Sequence, residues 1–419
     1  MSDIVFTDEM AKEYTILIPA MCPIHFELIK SALSEFYHVE LLKNEGRSVI
    51  DEGLRNVHND TCYPALLVIG QMIDALKSGQ YDTHKVALII TQTGGGCRAS
   101  NYVYLLRKAL DKAGFEYVPI IPLNIADLKS QSGFRLSIPM VNKILSAVLY
   151  GDLLMDLNNQ TKAHELNKGD AQRNTQYWIS RISNDFNNSK SYDLKNLEGT
   201  MTEIVKSYNS IKRDHKEKIK VGIVGEIYIK YSPLGNNHLE DFLYDEGCEV
   251  KLGGLLGFIL YCIYNTLEDK HLYGIPQMKY MLYKSAYKYL TNKEELMRKC
   301  IRENSNFEVF EPFDEVIKKA EKVIGLGVKM GEGWLLCGEI MDLIESGYKN
   351  VICAQPFGCL PNHIVAKGMT HKIRELEKDA NLVAIDYDPG ASRVNQENRI
   401  KLMLAIAKEN INKDVQGEI

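Results

Sequence analysis

The sequence has no excess of basic residues. Its 50 lysine and arginine residues are outnumbered by 55 aspartate and glutamate residues, which gives a formal net charge of -5. A chain without a positive field has little attraction for a nucleic-acid backbone or an acidic membrane surface. We therefore expect neither nucleic acid nor a membrane as a partner.

A secretory leader and a long apolar run are also missing. The N-terminal segment is acidic and has no basic region followed by an apolar core, so it does not resemble a secretory signal. The longest apolar run, Leu255 to Tyr264, is shorter than the ~20 residues that a membrane-spanning helix needs. We expect a cytoplasmic protein, in which cysteines are reduced.

None of the nine cysteines forms a Cys-x-x-Cys pair. This absence argues against zinc ribbons and ferredoxins, which normally rely on closely spaced ligands. Disulfides are not expected in a reducing compartment, so the cysteines favour metal binding or catalysis. A metal site in this chain would have to be assembled by folding.

Apolar strand patterns alternate with helical patterns in two stretches of the chain. Strands are predicted at residues 15–20, 39–42, 86–92, 118–123, 220–229, 249–252, 351–355 and 382–386. Such alternation is typical of parallel sheets covered by helices on both faces. We predict the α/β class, with two doubly wound, Rossmann- or flavodoxin-like domains at residues 1–135 and 217–419. A helical insert is predicted between them at residues 136–216, and a distant duplication of the two domains is left open.

The segment at residues 92–101, Gln-Thr-Gly-Gly-Gly-Cys-Arg-Ala-Ser-Asn, follows a predicted buried strand and opens a helix. Its glycines, which include Gly95 and Gly96, let the backbone approach a ligand closely, and a helix N-terminus presents free N–H groups. Cys97 is expected to have a lowered pKa there, which suits metal binding or nucleophilic attack. The alternative is a phosphate-binding loop, although the lysine of a Walker motif is missing.

Three further cysteines flank predicted strands or helix starts. Cys62 lies just before Pro64, which is placed in the first turn of a helix. Cys353 and Cys359 lie where another strand passes through a turn at Gly358 into a helix. Because the carboxyl ends of parallel strands line the crevice where ligands bind, we expect these cysteines to converge with Cys97.

The other five cysteines have weaker signals. Cys248, Cys262 and Cys300 lie in or beside apolar or helical stretches, where cysteine is usually a small buried hydrophobe. Cys22 follows a strand and is open to joining a cluster, whereas the helical position of Cys337 favours packing.

Five segments together resemble a known family. They are residues 60–64 (DTCYP), 91–102 (TQTGGGCRASNY), 221–228 (VGIVGEIY), 355–363 (QPFGCLPNH) and 385–392 (IDYDPGAS). The chain resembles the subunits of 2-hydroxyacyl-CoA dehydratases, especially the dehydratase-like C-terminal region of activase-related proteins. The segments extend over nearly the whole chain.

The resemblance implies an oxygen-sensitive 4Fe-4S cluster, or a related 8Fe double-cubane cluster, between two α/β domains. Carried onto matching positions, it implies Cys62, Cys97 and Cys359 as ligands, with Cys353 as the fourth. Gly95, Gly96 and Gly358 would allow close approach of the cofactor. A double cubane would need six thiolates, with Cys22 and Cys337 included.

The resemblance also implies a reaction and a partner. Family members remove water from a 2-hydroxyacyl-CoA through a ketyl radical anion, formed with one electron that a separate ATP-dependent activator protein with its own 4Fe-4S cluster delivers. This sequence has no ATP-binding phosphate loop, so ATP hydrolysis is expected in that partner. A homo- or heterodimer is expected. The alternatives are a double-cubane reductase of small molecules, a non-catalytic electron-transfer partner of an activase, and an enzyme that uses Cys97 as nucleophile.

Three polar residues beside these segments are candidate catalytic residues. Arg98 is a candidate to neutralise a cluster or a CoA phosphate, Glu226 follows a strand end, and His363 opens a helix near Cys359. Each has a structural alternative: Arg98 as a surface cap, Glu226 as an acceptor for backbone N–H groups, and His363 as a polar residue of a first helical turn.

Overall fold

Two four-stranded parallel sheets form the framework of the protein. The computed structural model describes residues 4–58, 60–123, 132–188, 196–214 and 216–416. The first sheet contains β1 (Thr15–Pro19), β2 (His38–Leu42), β3 (Val86–Thr91) and β4 (Ile120–Leu123), and the second contains β5 (Ile219–Gly225), β6 (Cys248–Leu252), β7 (Asn350–Pro356) and β8 (Asn381–Tyr387). Helices flank both sheets, which confirms the predicted α/β class with two doubly wound units.

Both sheets have the same strand order. The first sheet is ordered β2-β1-β3-β4 and the second β6-β5-β7-β8, with every neighbouring pair parallel. In each sheet the chain changes direction between its first and third strands. Ligands bind at such switch points, outside the carboxyl ends of the strands.

The helices cover the sheets and fill the region between them. They are α1 (Met10–Glu13), α2 (Pro23–Leu33), α3 (Arg47–Asn56), α4 (Tyr63–Lys77), α5 (Tyr102–Ala113), α6 (Ile138–Lys162), α7 (Asp170–Asn188), α8 (Leu197–Asn209), α9 (Ile227–Tyr231), α10 (Pro233–Asn236), α11 (Leu239–Asp245), α12 (Leu255–Tyr273), α13 (Gln277–Asn304), α14 (Phe313–Val323), α15 (Gly333–Glu345), α16 (Thr370–Leu376) and α17 (Arg393–Gln416). A 3₁₀ segment precedes α5 at Arg98–Asn101, and a π-helix spans Asn362–Lys367. The predicted insert contains α6 to α8, while its residues 189–195 and 215 lie outside the described residues.

One apolar core joins the two units. It contains Leu17 and Ile90 from the first sheet and Ile223 and Ile352 from the second, all buried. Because burial of apolar surface is the main driving force of folding, this shared core holds the two sheets together. The crevices at their edges are therefore parts of one packed structure.

The predicted strand at residues 220–229 is too long at its C-terminal end. β5 ends at Gly225, where a side chain would place its Cβ 2.0 Å from the carbonyl oxygen of Ala354. Glu226 then acts as the N-cap of α9, and its Oε2 accepts a hydrogen bond of 2.9 Å from the backbone N–H of Ile229. This cap starts a helix where apolar residues had suggested more strand.

Within the described residues, α6 is the one helix long and apolar enough to cross a membrane. However, 67% of its apolar window is buried inside the protein. Burial of most of this window against the rest of the protein accounts for its apolar composition without a membrane. We therefore interpret α6 as a core helix.

Asp152 of α6 fixes the start of α12. Its Oδ1 accepts the N–H of Leu255 at 2.6 Å, and its Oδ2 accepts that of Leu256 at 2.8 Å. The ring of His25 in α2 contacts the same carboxylate, with Nε2 2.7 Å from Oδ1. A buried carboxylate at a helix N-terminus satisfies otherwise unpaired N–H groups. Asp152 therefore links α6 to α2 and to the start of α12.

Candidate functional site

A cavity of about 520 Å³ lies at the carboxyl ends of β3, β5 and β7. Its walls come from both α/β units, so it occupies the crevice that the parallel topology provides. It is lined by residues 93–99, 226–227, 329–332 and 358–361, by one face of α12, and by Cys62 and Tyr102.

Cys62, Cys97 and Cys359 all line this cavity. Cys62 is the N-cap of α4, Cys97 directly precedes the 3₁₀ segment Arg98–Asn101, and Cys359 lies just beyond the end of β7. The structure thus brings together three thiols that are far apart in the sequence. Gly95, Gly96, Gly358 and Arg98 line the same cavity.

The loops that carry Cys62 and Cys359 are in direct contact. The N–H of Tyr63 donates a hydrogen bond of 3.0 Å to the carbonyl oxygen of Phe357. Gly358 has a φ of 77°, and a Cβ there would lie 2.9 Å from the Thr61 oxygen and 3.2 Å from the Cα of Cys62. Glycine is required because the backbones approach so closely.

The glycine-rich loop of the first unit contacts Met330 of the second. The N–H of Gly96 lies 3.2 Å from the Met330 sulfur, to which it donates. Gly95 has a φ of 78°, and a Cβ there would lie 2.9 Å from that sulfur. Gly95 and Gly96 therefore allow this loop to contact the second unit closely, and this contact places Cys97 at the cavity.

Hydrogen-bond partners surround two of the thiols. The sulfur of Cys62 lies 3.1 Å from the hydroxyl of Tyr102, and the amide Nδ2 of Asn362 donates to the sulfur of Cys359 at 3.2 Å. Such donors stabilise the negative charge of a thiolate. They are suited to sulfur that is bound to a metal.

The expected low pKa of Cys97 is wrong for the metal-free protein. Burial raises the pKa of Cys97 to about 11, and burial likewise raises the pKa values of Cys62 and Cys359. The hydrogen bond from the backbone N–H of Ala99 to Cys97 lowers this pKa, but by less than burial raises it. These thiols are therefore protonated near neutral pH, and a metal ion would have to displace their protons in order to bind them.

Two carboxylates lie beside the thiols. Oε1 of Glu332 accepts the N–H of Ile227 at 3.1 Å, so Glu226 and Glu332 both bind the start of α9. Burial, followed by repulsion from Glu332, raises the pKa of Glu226, and burial also raises the pKa of Glu332. Glu226 therefore lines the cavity and also accepts a backbone N–H group, which is the structural role considered for it above. Glu332 was not predicted, because nothing in its local sequence links it to Glu226.

Cys262 also lines the cavity and is exposed, so the prediction of a buried packing cysteine is wrong for this residue. It lies on the face of α12 formed by Phe258, Tyr261, Cys262, Asn265, Thr266 and Asp269. Their spacing of three and four residues is the sequence signal that would have revealed a shared face. Cys248 and Cys300 are buried, as predicted.

Four other candidate residues lie elsewhere. Cys353 lies within β7 and is buried with Cys337 in a separate apolar cluster, because a side chain within the strand packs against the covering helix α15. Cys22 lines a different cavity, of about 500 Å³. His363 is half-buried in the π-helix and is outside the lining of the thiol cavity. The cavity thus receives neither the predicted fourth ligand nor the two extra cysteines of a double cubane.

Within the described ranges, no three His, Cys, Asp or Glu side chains are grouped closely enough to hold one metal ion. A 4Fe-4S cluster has a different requirement, because each thiolate binds its own iron atom and the thiolates need not meet at one point. Separated thiols around a cavity, with hydrogen-bond donors beside them, fit that requirement. Three thiols that line one cavity are therefore compatible with a cluster.

Comparisons of this chain with protein-family models, curated proteins and solved structures gave no match. Function is therefore inferred from the site and from the five sequence segments named above.

Proposed function

We propose that the chain binds a 4Fe-4S cluster through Cys62, Cys97 and Cys359 and acts as a 2-hydroxyacyl-CoA dehydratase-like enzyme. The observation that supports this is the presence of these three thiols in one cavity at the strand ends. Each belongs to a segment that resembles the dehydratase family. Cys353 and His363 are omitted from the proposed site because they lie outside the cavity lining.

When bound, the cluster would supply a single electron at low potential, which the family chemistry uses to activate a thioester. The net reaction removes hydroxide from C2 and a proton from C3, which together form water, and the electron is returned. Glu226 and Glu332 are the carboxylates in the lining with raised pKa values, which suit proton transfer near neutral pH. Arg98 is exposed at the cavity and would neutralise negative charge on the thioester's CoA portion.

The electron donor would be a separate ATP-dependent activator protein with its own 4Fe-4S cluster. This part of the proposal depends on the family resemblance and on the missing phosphate loop in the sequence. A cytoplasmic location and a homo- or heterodimer belong to the same proposal.

The alternatives have less support. A double-cubane reductase would need more thiolates, but Cys22 and Cys337 lie away from the cavity. A nucleophilic Cys97 would need a lowered pKa or a histidine partner, yet burial raises its pKa to about 11 and the described cavity lining contains no histidine. An electron-transfer protein would use the same cluster site and would differ from a dehydratase only in that it converts no thioester.

The test is anaerobic purification, followed by iron and sulfide analysis of the wild type and of Cys62→Ala, Cys97→Ala and Cys359→Ala. We expect about four irons in the wild type and loss of the cluster from each variant. Cys353→Ala is the matched control, since it removes a buried thiol on the strand that leads to Cys359. Circular dichroism would check that each variant is folded.

Wild-type protein that takes up no iron on reconstitution would refute the cluster. If the cluster forms, turnover is tested with the activator, ATP and a set of 2-hydroxyacyl-CoA thioesters. Reduction of the cluster without turnover of any of them would contradict the dehydratase role and favour electron transfer.

A further inference from the structure

A second cavity, of about 500 Å³, lies at the carboxyl ends of β1 and β2. The residues that line it come from the loops after these strands, from α2, α4, α6 and α7, and from positions within 231–244 of the second unit. We call it the Cys22 cavity, after the buried N-cap residue of α2. Among the described residues, none lines both this cavity and the thiol cavity. A ligand here would therefore be bound by residues that the proposed cluster does not use.

Gln71 of α4 lines the Cys22 cavity and has an amide oxygen without a partner. Its Nε2 donates a hydrogen bond of 3.0 Å to the carbonyl oxygen of Asn44. Because that carbonyl can only accept, the orientation of the amide is fixed, and Oε1 remains buried with no hydrogen bond from any described residue. Gln71 is only 2% exposed. Buried acceptors are normally paired, so this oxygen indicates a donor that the chain itself does not supply.

His25 of α2 provides a second unpaired acceptor in the lining. Its Nε2 lies 2.7 Å from Oδ1 of Asp152, and the two oxygens of this carboxylate also accept the N–H groups at the start of α12. Since a carboxylate only accepts, Nε2 carries the proton, and Nδ1 of the neutral ring is an acceptor. Nδ1 is buried and finds no partner in the described parts of the chain.

Glu240 of α11 is the one carboxylate in the lining without an ion pair to a described residue. Its Oε2 accepts a hydrogen bond of 3.2 Å from Nδ2 of Asn159. The other charged groups of the lining are already matched: Lys43 lies 2.8 Å from Glu27, Lys162 lies 3.0 Å from Asp241, and His238 lies 3.4 Å from Glu45. The lining therefore has an unmatched negative charge and no unmatched lysine.

Lys162 shows how an ammonium group fits this cavity. Its Nζ lies 4.1 Å from the ring centroid of Tyr244 and 3.0 Å from Oδ1 of Asp241. Aromatic faces and carboxylates both attract ammonium groups. Glu240 and Tyr244 are four residues apart on α11, so they share a face of this helix. The hydroxyl of Tyr244 is also buried without a partner among the residues described.

We propose that the Cys22 cavity binds a small organic amine, whose ammonium group pairs with Glu240. Gln71 and His25 supply acceptors for further N–H groups of the same ligand. The volume is within the range of ~300–1,000 Å³ that is typical of small-molecule sites. Within the described ranges no three His, Cys, Asp or Glu side chains are grouped to hold a metal ion, which favours an organic cation.

The first test is isothermal titration calorimetry of the full-length wild type with 1,4-diaminobutane, agmatine and lysine. Titration at pH 8 keeps Glu240 mostly ionised, because burial raises its pKa to about 7. We expect saturable binding of one amine per chain. The matched control ligand is 1,4-butanediol, which has the length of the diamine without its charge, and we expect it to bind at least about tenfold more weakly.

This test needs no variant, so it does not depend on whether a substituted chain folds. Equal affinity for the diamine and the diol would overturn the inference, because the charge of Glu240 would then play no part. It would also be overturned if none of the three amines bound with a Kd below about 1 mM, since water alone would then fill the cavity.

The second test compares Glu240→Gln with Glu246→Gln. Glu246 directly follows α11, lies outside the lining and is 3.4 Å from Lys401, so its substitution removes the same charge away from the cavity. We expect at least about tenfold weaker binding of the best amine in Glu240→Gln and a change of less than about twofold in the control. Circular dichroism would check that both variants are folded. An unchanged Kd in Glu240→Gln, or equal losses in the two variants, would refute the role of Glu240. Iron binding by the thiol cavity is measured separately, so either proposal can fail alone.

Discussion

The two α/β units have the same strand order but place different chemistry after their first strands. After β1, Cys22 caps α2 and faces a separate cavity of about 500 Å³. After β5, Glu226 caps α9 and faces the thiol cavity. The comparison shows that topology determines where crevices form, whereas one or two loop residues determine what each crevice can bind.

The units also differ in how closely their backbones approach at the site. β1 ends in Pro19, while β5 ends in Gly225 against the backbone of Ala354. The second unit is thus the less tolerant of added atoms. Substitutions at equivalent and non-equivalent glycines can test this difference.

Gly225→Ala should have the largest effect. The new Cβ would lie 2.0 Å from the Ala354 oxygen, so β5 and β7 would have to separate at the site. We expect a loss of about 3 kcal/mol or more in the free energy of unfolding, measured by urea denaturation of the metal-free protein. A loss below ~1 kcal/mol would show that this strand pair can move apart at little cost.

Gly358→Ala should cost more than Gly95→Ala, although both positions have positive φ. The Cβ at Gly358 meets backbone atoms of Thr61 and Cys62, whereas that at Gly95 meets the flexible side chain of Met330. We expect losses of about 2 and about 1 kcal/mol in the free energy of unfolding. Iron content should fall further in Gly358→Ala, because Cys62 and Cys359 would be pushed apart. Equal losses in the two variants would contradict the difference between the units.

The carboxylates should make the stability of the metal-free protein depend on pH. Burial raises the pKa of Glu226 above the ordinary value of 4.5, so the folded state holds a proton that the unfolded state has lost. The resulting stabilisation is complete below the ordinary pKa and is lost as pH rises through the raised pKa. Glu226→Gln should flatten this decline by an amount on the order of 1 kcal/mol between about pH 5 and about pH 8.

Cys22→Ser in the first unit is the matched control. Burial raises the pKa of Cys22 well above its ordinary value of 9.0, so this thiol stays protonated over the same pH range. Urea denaturation at the two pH values should show the decline in the control and a smaller one in Glu226→Gln. If stability declined equally in Cys22→Ser and Glu226→Gln, groups other than Glu226 would be responsible for the decline.

Gly257→Ala should have the smallest effect, and of opposite sign. Gly257 lies in α12, and no atom is found within 4 Å of a Cβ added there. Alanine favours the helical backbone over glycine, so we expect a gain of about 0.5 kcal/mol in the free energy of unfolding. The same urea titration measures it, and a loss would indicate that α12 must deform at its start.

The sequence predicted the two sheets well, because apolar runs that alternate with helical patterns are sufficient for that. Cys97 and Cys359 lie in the loops that follow β3 and β7, at the crevice that the carboxyl ends of parallel strands form. Cys353 lies in β7, the strand that leads to Cys359, but its side chain is buried under α15. Whether a residue of β7 is buried in this way depends on which face of the strand the helix covers.

The remaining parts of the site depend on contacts between distant segments. Glu332 and Cys262 are neighbours only because the loop before α15 is bonded to α12 through Tyr261 and Trp334. The local sequence predicts a lowered pKa for Cys97, whereas burial raises it. The depth of burial depends on the whole folded protein. Short motifs carry no record of either.

The hydrogen bond from Tyr63 to Phe357 has a consequence for biosynthesis. The two chain segments that it joins leave the ribosome far apart in time. The part of the thiol cavity that Cys62 and Cys359 line therefore forms only after the later segment has docked. Under the proposed function, insertion of the cluster would therefore be one of the last steps of maturation.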